Sequence, residues 1–236
     1  MDCHRDMPTQ YRPEKAVDDI APIRPEGEER EQLAHYFVSA PPPDRQTPQE
    51  REIYRRALRR LHEVDSAAVI RAAGTRRPLY YGDLSGLTSA VLEACRRAAE
   101  SLGLPLGVYP PLPAEPLYAA FEPRLVQMAC IGLMRAACRE NQGPVTASAY
   151  VRHQFLAIAV TSERPPREEQ AIAIAQETAR LHMGSLAVAG GTAAFSLRTN
   201  LVSTAGVTAC PTAADLLRDG LSCVQTGFYS FFPFSD

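Results

Sequence analysis

A chain of 236 residues with 45% hydrophobic and 22% charged content is long enough to bury a sizeable core and reads as a globular protein of one or two domains. Its formal net charge of -2 gives no electrostatic case for binding nucleic acid. No apolar run approaches the roughly 20 residues that span a bilayer, and the polar start MDCHRDMPTQ is unlike a signal peptide, so a cytoplasmic protein is expected. Cys3, Cys95, Cys130, Cys138, Cys210 and Cys223 show no C-x-x-C spacing, which argues against a zinc site or a disulfide framework.

In chain order, residues 1–27 are polar and proline-bearing with no periodicity, and are expected to be irregular. Residues 28–76 predict a helical hairpin. Its first helix runs from Glu28 to Ala40 and is stopped by Pro41, Pro42 and Pro43. Its second opens at Thr47, an N-cap followed by Pro48 at the first helical position and Glu50 three residues on, and runs to about Ala73 with Gly74 as its stop. Tyr54, Leu61 and Ala68 recur every seven residues, with Ala57 and Val64 between them. That seam predicts a helix seeking a partner, and hence a homodimer. His62, within LRRLHEVD, reads as a residue of a solvated face.

From Pro78 the period changes. PLYYGD predicts a strand, and a helix capped by Asp83 or Ser85 follows; LPLGVYP and PLYAAF predict further strands. Glu122–Ala137 predicts a helix opened by Pro123 and apolar around most of its circumference, which implies burial. PVTASAYVRHQFLAIAVTS predicts two strands turning near His153 and Gln154. EEQAIAIAQETARLHMGS predicts a helix, and SLAVAGGTAAFSLRTN a hairpin turning at Gly190 and Gly191. The class is α+β. Residues 201–236 form a C-terminal tail with a short helix from Thr212 to Arg218 and an aromatic run, Phe228, Tyr229, Phe231, Phe232 and Phe234. A disordered tail avoids such density, so it is expected to dock on its own domain, with a partner-binding segment as the alternative.

These words carry a resemblance. EPRLVQMACIGLMRAA resembles the N box of the sensor histidine kinase ATPase domain, an Asp-Pro-Arg-Leu start followed by Asn-Leu-Leu-x-Asn-Ala. FEPRL, ARLHMGSLAV and GGTAAFSLR extend the likeness from about Asp83 to Leu197, within a domain expected over residues 77–200. The resemblance implies a helical dimerisation hairpin followed by an α/β sandwich, a mixed sheet with helices on one face. It also implies a nucleotide site, and there the chain departs from the pattern. The two asparagines that contact magnesium and phosphate in the family are placed at Gly132 and Ala136. Ser162 stands for the adenine-binding aspartate of the first glycine box, and Arg164 and Pro166 stand for its glycines. Glu169–Ile172 replaces the second glycine box, and the lid between the boxes is missing.

The expectation is therefore a degenerate histidine kinase core, a pseudokinase with no cofactor, in which ATP and magnesium enter only if the altered pocket still binds. It would act by homodimerisation and by binding a response regulator or a histidine kinase. One alternative is a histidine phosphotransferase relaying phosphate through His35, the only histidine on the first hairpin helix; it is followed by Tyr36 where the family motif has an acidic residue. The other is an ATP-binding two-component sensor histidine kinase. Arg124, Arg139 and Arg180 are the cations that could hold phosphate, and each also reads as a solvated helix-face residue.

Overall fold

The computed structural model describes residues 26–41, 45–109 and 115–232. Of the segment expected to be irregular, residues 1–27, the first 25, with Cys3, lie outside these, as do Pro42, Pro43 and Phe234, while residues 26–27 are helical.

Helix α1 (Glu26–Ser39) begins two residues before its expected start. Helix α2 (Pro48–Arg71) opens with the full capping box: the Thr47 hydroxyl accepts from the Glu50 amide, and the Glu50 carboxylate accepts from the Thr47 amide at 2.7 Å. It ends before Gly74, whose φ of +83° needs no Cβ. Strand β1 (Tyr80–Asp83) leads into α3 (Leu84–Ser101), where Asp83 Oδ1 caps the helix by accepting from Gly86 N at 2.9 Å. Strands β2 (Leu106–Val108) and β3 (Tyr118–Phe121) precede α4 (Pro123–Glu140), and β4 (Val145–Arg152) and β5 (Phe155–Thr161) follow it. Then come α5 (Glu169–Leu181), the hairpin β6 (Leu186–Ala189) and β7 (Thr192–Arg198), the short helices α6 (Ala213–Arg218) and α7 (Cys223–Gly227), and a 3-10 turn at Tyr229–Phe231.

Five strands form a mixed sheet in the order β2-β4-β5-β7-β6, parallel between β2 and β4 and antiparallel elsewhere. β1 and β3 pair in a separate antiparallel ribbon. Strand alternation sends one set of side chains inward: Val145, Ala147 and Ala149 from β4, Leu156, Ile158 and Val160 from β5, and Ala193, Phe195 and Leu197 from β7 are all buried. The other set is small and polar, with Thr146 and Tyr150 exposed. Helices α3, α4 and α5 cover the apolar face, which makes the expected α+β sandwich.

The hairpin corrects the coiled-coil expectation. Ala68, one of the seven-residue positions, is exposed, whereas Ile53, Leu58, His62, Ser66 and Val69 are buried with Ala57, Leu61 and Val64. The reason is that α2 is covered on two sides by its own chain. Leu33 and Tyr36 of α1 pack with Ile53, Ala57 and Leu61, and the buried Glu29 pairs with Arg60 at 2.5 Å. On the other side Arg55 donates to the Phe232 carbonyl at 2.9 Å and Arg59 to the Ser230 carbonyl at 2.8 Å. The seam that seemed to need a second chain is closed within this one.

The tail docks as expected. Thr208 N donates to the Tyr81 carbonyl at 2.9 Å, tying the segment to the free edge of β1. Leu216, Val224, Phe228 and Phe232 then join the main core.

Candidate functional site

Helix α4 is the centre of the site. Glu122 caps it through Leu125 N, and every residue from Leu125 to Cys138 except Gln127 is buried. Its packing against α5 is close: a Cβ at Gly132 would stand 3.3 Å from the Ala171 Cβ, and Ala136 is fully buried beside it. Neither position faces open space.

Arg135, which the sequence did not single out, is the polar residue this helix buries completely. One guanidinium nitrogen, Nη1, donates to His62 Nε2 at 2.7 Å and to the Gly227 carbonyl at 3.1 Å, and the other, Nη2, is paired with the Glu168 carboxylate. The plane lies over the Phe231 ring at 4.1 Å, a cation–π contact. Burial lowers the Arg135 pKa from its ordinary value, and the Glu168 carboxylate works in the opposite direction. Gly227 sits close here: a Cβ would stand 3.1 Å from ring atoms of His62 and 3.1 Å from Ile131 Cγ2, so a larger residue would need these side chains to give way. The C-terminal segment thus lies against the Ile131 and Arg135 face of α4, with α2 alongside.

His62 is not on a solvated face but buried, a second correction. Its Nε2 accepts from Arg135, so the ring is neutral with its proton on Nδ1. Burial, aided by the positive charges of Arg135 and Arg124, pushes its pKa down to about 3. His182 is also fully buried and neutral. Its Nδ1 donates to the Thr178 carbonyl at 2.6 Å and its Nε2 accepts from Glu122 N at 3.0 Å, which joins the end of α5 to the start of α4. Burial lowers its pKa, against a smaller opposing pull from that carbonyl.

The connector from β5 to α5 holds the remaining expected positions. Ser162 is buried and its hydroxyl donates to the Arg164 carbonyl at 2.7 Å. Arg164 contributes backbone, not side chain: its N donates to Asn141 Oδ1 at 2.8 Å and its carbonyl accepts from Asn141 Nδ2 at 3.1 Å, while the guanidinium is exposed. Pro166 is buried. Glu140, at the end of α4, accepts from the amides of Arg167 at 2.9 Å and Glu168 at 3.1 Å. These bonds strap the connector to the C-terminal end of α4.

Arg124 pairs with Asp65, Arg139 with Glu168 at 3.6 Å and Arg180 with Glu177 at 2.7 Å. All three are about half exposed and neutralised by carboxylates, as solvated helix-face residues usually are. His35 is exposed on α1, next to Tyr36 and Phe37 in the hairpin core. Gly190 and Gly191, with φ of +54° and +81°, form the expected turn between β6 and β7. Among the described residues no group of His, Cys, Asp and Glu is arranged to hold a metal, and no helix is long and apolar enough to cross a membrane. Cys95, Cys130 and Cys138 are free and buried, and burial raises their thiol pKa values.

No family model matches this sequence, and no curated protein matches it. Solved structures do. Full-length ShkA in complex with AMPPNP aligns with a TM-score of 0.53 at 16% identity, over 81% of this chain and 47% of that one. The histidine kinase AdeS of Acinetobacter baumannii aligns at 0.47 and 14% identity over 74% of this chain and 94% of its own. The ATP-binding domain of PrrB from Mycobacterium tuberculosis aligns at 0.41 and 20% identity, over 54% of this chain and 100% of its own. At these identities the likeness is one of fold. The chain has a histidine-kinase-like core.

Proposed function

We propose that this is a signalling protein built on a histidine-kinase-like core that does not use ATP and acts through contacts with a response regulator or a histidine kinase. The observation that carries the proposal is the closure of α4 by the chain's own segments. When the closing alanine of the N-box motif is set on Ala136, the two asparagine positions fall on Ile131 and Arg135, one residue before Gly132 and Ala136. Ile131 has no polar atom to offer magnesium. Arg135 is occupied by His62, Gly227 and Glu168 under the Phe231 ring. On the other register Gly132 is packed against Ala171. The Ser162 hydroxyl is taken by a backbone carbonyl, Glu168 is paired with Arg135 and Arg139, and Glu169 adds negative charge where phosphates would need donors. These residues do not fit ATP or magnesium, and no catalytic step is assigned to them.

Cytoplasmic placement and homodimerisation are part of the same proposal. Pairing would use the outer face of the hairpin, where Val38 is exposed, since Leu61 and Val64 are already covered. The phosphotransferase reading has one observation in its favour, the exposure of His35. Against it, the helix ends at Ser39, one turn later. Incubation with γ-labelled ATP and magnesium, and separately with labelled phospho-receiver domains of response regulators, is expected to leave the chain unlabelled. Label from ATP would overturn the proposal. Label from a receiver domain that is lost in His35→Gln would replace it with the phosphotransferase reading.

A further inference from the structure

Between the hairpin, the end of α3 and the C-terminal segment lies a cavity of about 600 Å³, a size that suits a small organic ligand. Its walls are apolar where Leu58, Leu102 and Leu217 meet the rings of Tyr54 and Tyr229. The polar groups within it are largely spent on each other. The hydroxyls of Ser101 and Tyr229 bond at 2.8 Å, the Ser230 hydroxyl donates to the Thr226 carbonyl, and Arg55 is held by Glu52 and the Phe232 carbonyl. Two cations remain. Arg51 and Arg218 line the cavity, are exposed, and have no carboxylate within salt-bridge distance among the described residues, although the charge of Arg218 reaches Asp215 one turn before it. A Cβ at Gly220 would stand 3.2 Å from the Tyr54 hydroxyl, so the chain just after α6 meets α2 one turn from Arg51. No described carboxylate is among the lining residues, although the charge of Asp219, beside Arg218, reaches the Tyr54 hydroxyl.

We propose that this cavity binds a small amphipathic carboxylate, with an apolar body against Leu58, Leu102 and Leu217 and its anionic group at the rim formed by Arg51 and Arg218. The arginine fork suits a planar carboxylate, and the apolar walls supply area that water does not hold well. A ligand in this place touches α2, α3, α6 and the C-terminal segment together, so its occupancy favours the state in which the hairpin is docked on the sandwich. The proposal is independent of whether ATP binds.

The test is a fluorescence titration of the full chain with 2-naphthoate, whose emission is excited beyond the tyrosine absorption band and read with little background because the chain has no tryptophan. Saturable one-site binding is expected, with a dissociation constant on the order of 0.1 mM. The neutral isostere 2-naphthamide, and the double variant Arg51→Gln, Arg218→Gln confirmed as folded by its melting curve, should each weaken binding about tenfold or more. If the double variant melts early, Arg218→Gln alone is expected to weaken binding by at least about threefold. Absence of saturation, or affinity that is the same for the amide or for the folded variant, overturns the proposal.

Discussion

Phe228→Ala is expected to destabilise the protein by about 3–5 kcal/mol, measured as the shift in urea midpoint at constant slope. Phe228 is fully buried, packs on Phe232 at a ring distance of 5.2 Å, and belongs to the same apolar cluster as α3, α4 and β5. Its loss leaves a cavity at the junction of the tail with the sandwich, and that cost is a large fraction of the stability of an ordinary domain. Phe231→Ala is the contrast. That ring is half-buried and lies over Arg135, with Arg59 and Arg139 at 5.1 and 5.6 Å, so its removal is expected to cost about 1–2 kcal/mol. Equal and small effects would mean that the C-terminal segment is not part of the folded core.

Acid is expected to weaken the fold between pH 7 and 5, before the carboxylates titrate. His62 has its pKa pushed down to about 3 in the folded chain, against about 6.5 when unfolded. Its contribution is therefore fully present above about pH 6.5 and is lost as pH falls toward 3, because the unfolded chain takes up a proton that the folded chain refuses. The single-site linkage gives about 2 kcal/mol lost by pH 5. His182, also lowered by burial, acts in the same direction. Glu177 is lowered by its pairing with Arg180, and its contribution is lost only below the ordinary carboxylate range, outside this window. In His62→Gln the amide oxygen can still accept from Arg135, so the variant should fold and lose about 2 kcal/mol less over the same interval. An unchanged pH slope in the variant would show that His62 is protonated in the folded state.

Much of the architecture was legible because local signals agreed with it. Thr47, Pro48 and Glu50 mark a helix start by their own chemistry, and the alternation in FLAIAVT and TAAFSLR marks strands with one apolar face. What stayed hidden depends on contacts far along the chain. Arg135 stands in an apolar helix four residues before Arg139 and reads like another surface cation. Its partners lie 73, 92 and 33 residues away, and nothing in its neighbourhood announces them. The same remoteness disguised His62, whose flanking Arg59, Arg60 and Glu63 suggest solvent although the tail covers it. The seven-residue spacing on α2 was real as a pattern, but α1 and the sandwich cover it, a tertiary outcome that spacing alone does not fix. What covers α4, with Gly227 in the crevice between His62 and Ile131, required the fold.

The proposed function requires that the chain's own C-terminal segment, α2 and the strapped β5–α5 connector take up the surface of α4 that nucleotide would otherwise need. Calorimetric titration of the full chain with ATP and magnesium at pH 7.5 tests this most directly. No saturable heat is expected up to about 1 mM nucleotide, the range in which a weak site would already register. Saturable binding in the micromolar range, weakened by changes at Arg135 or Ser162, would contradict it.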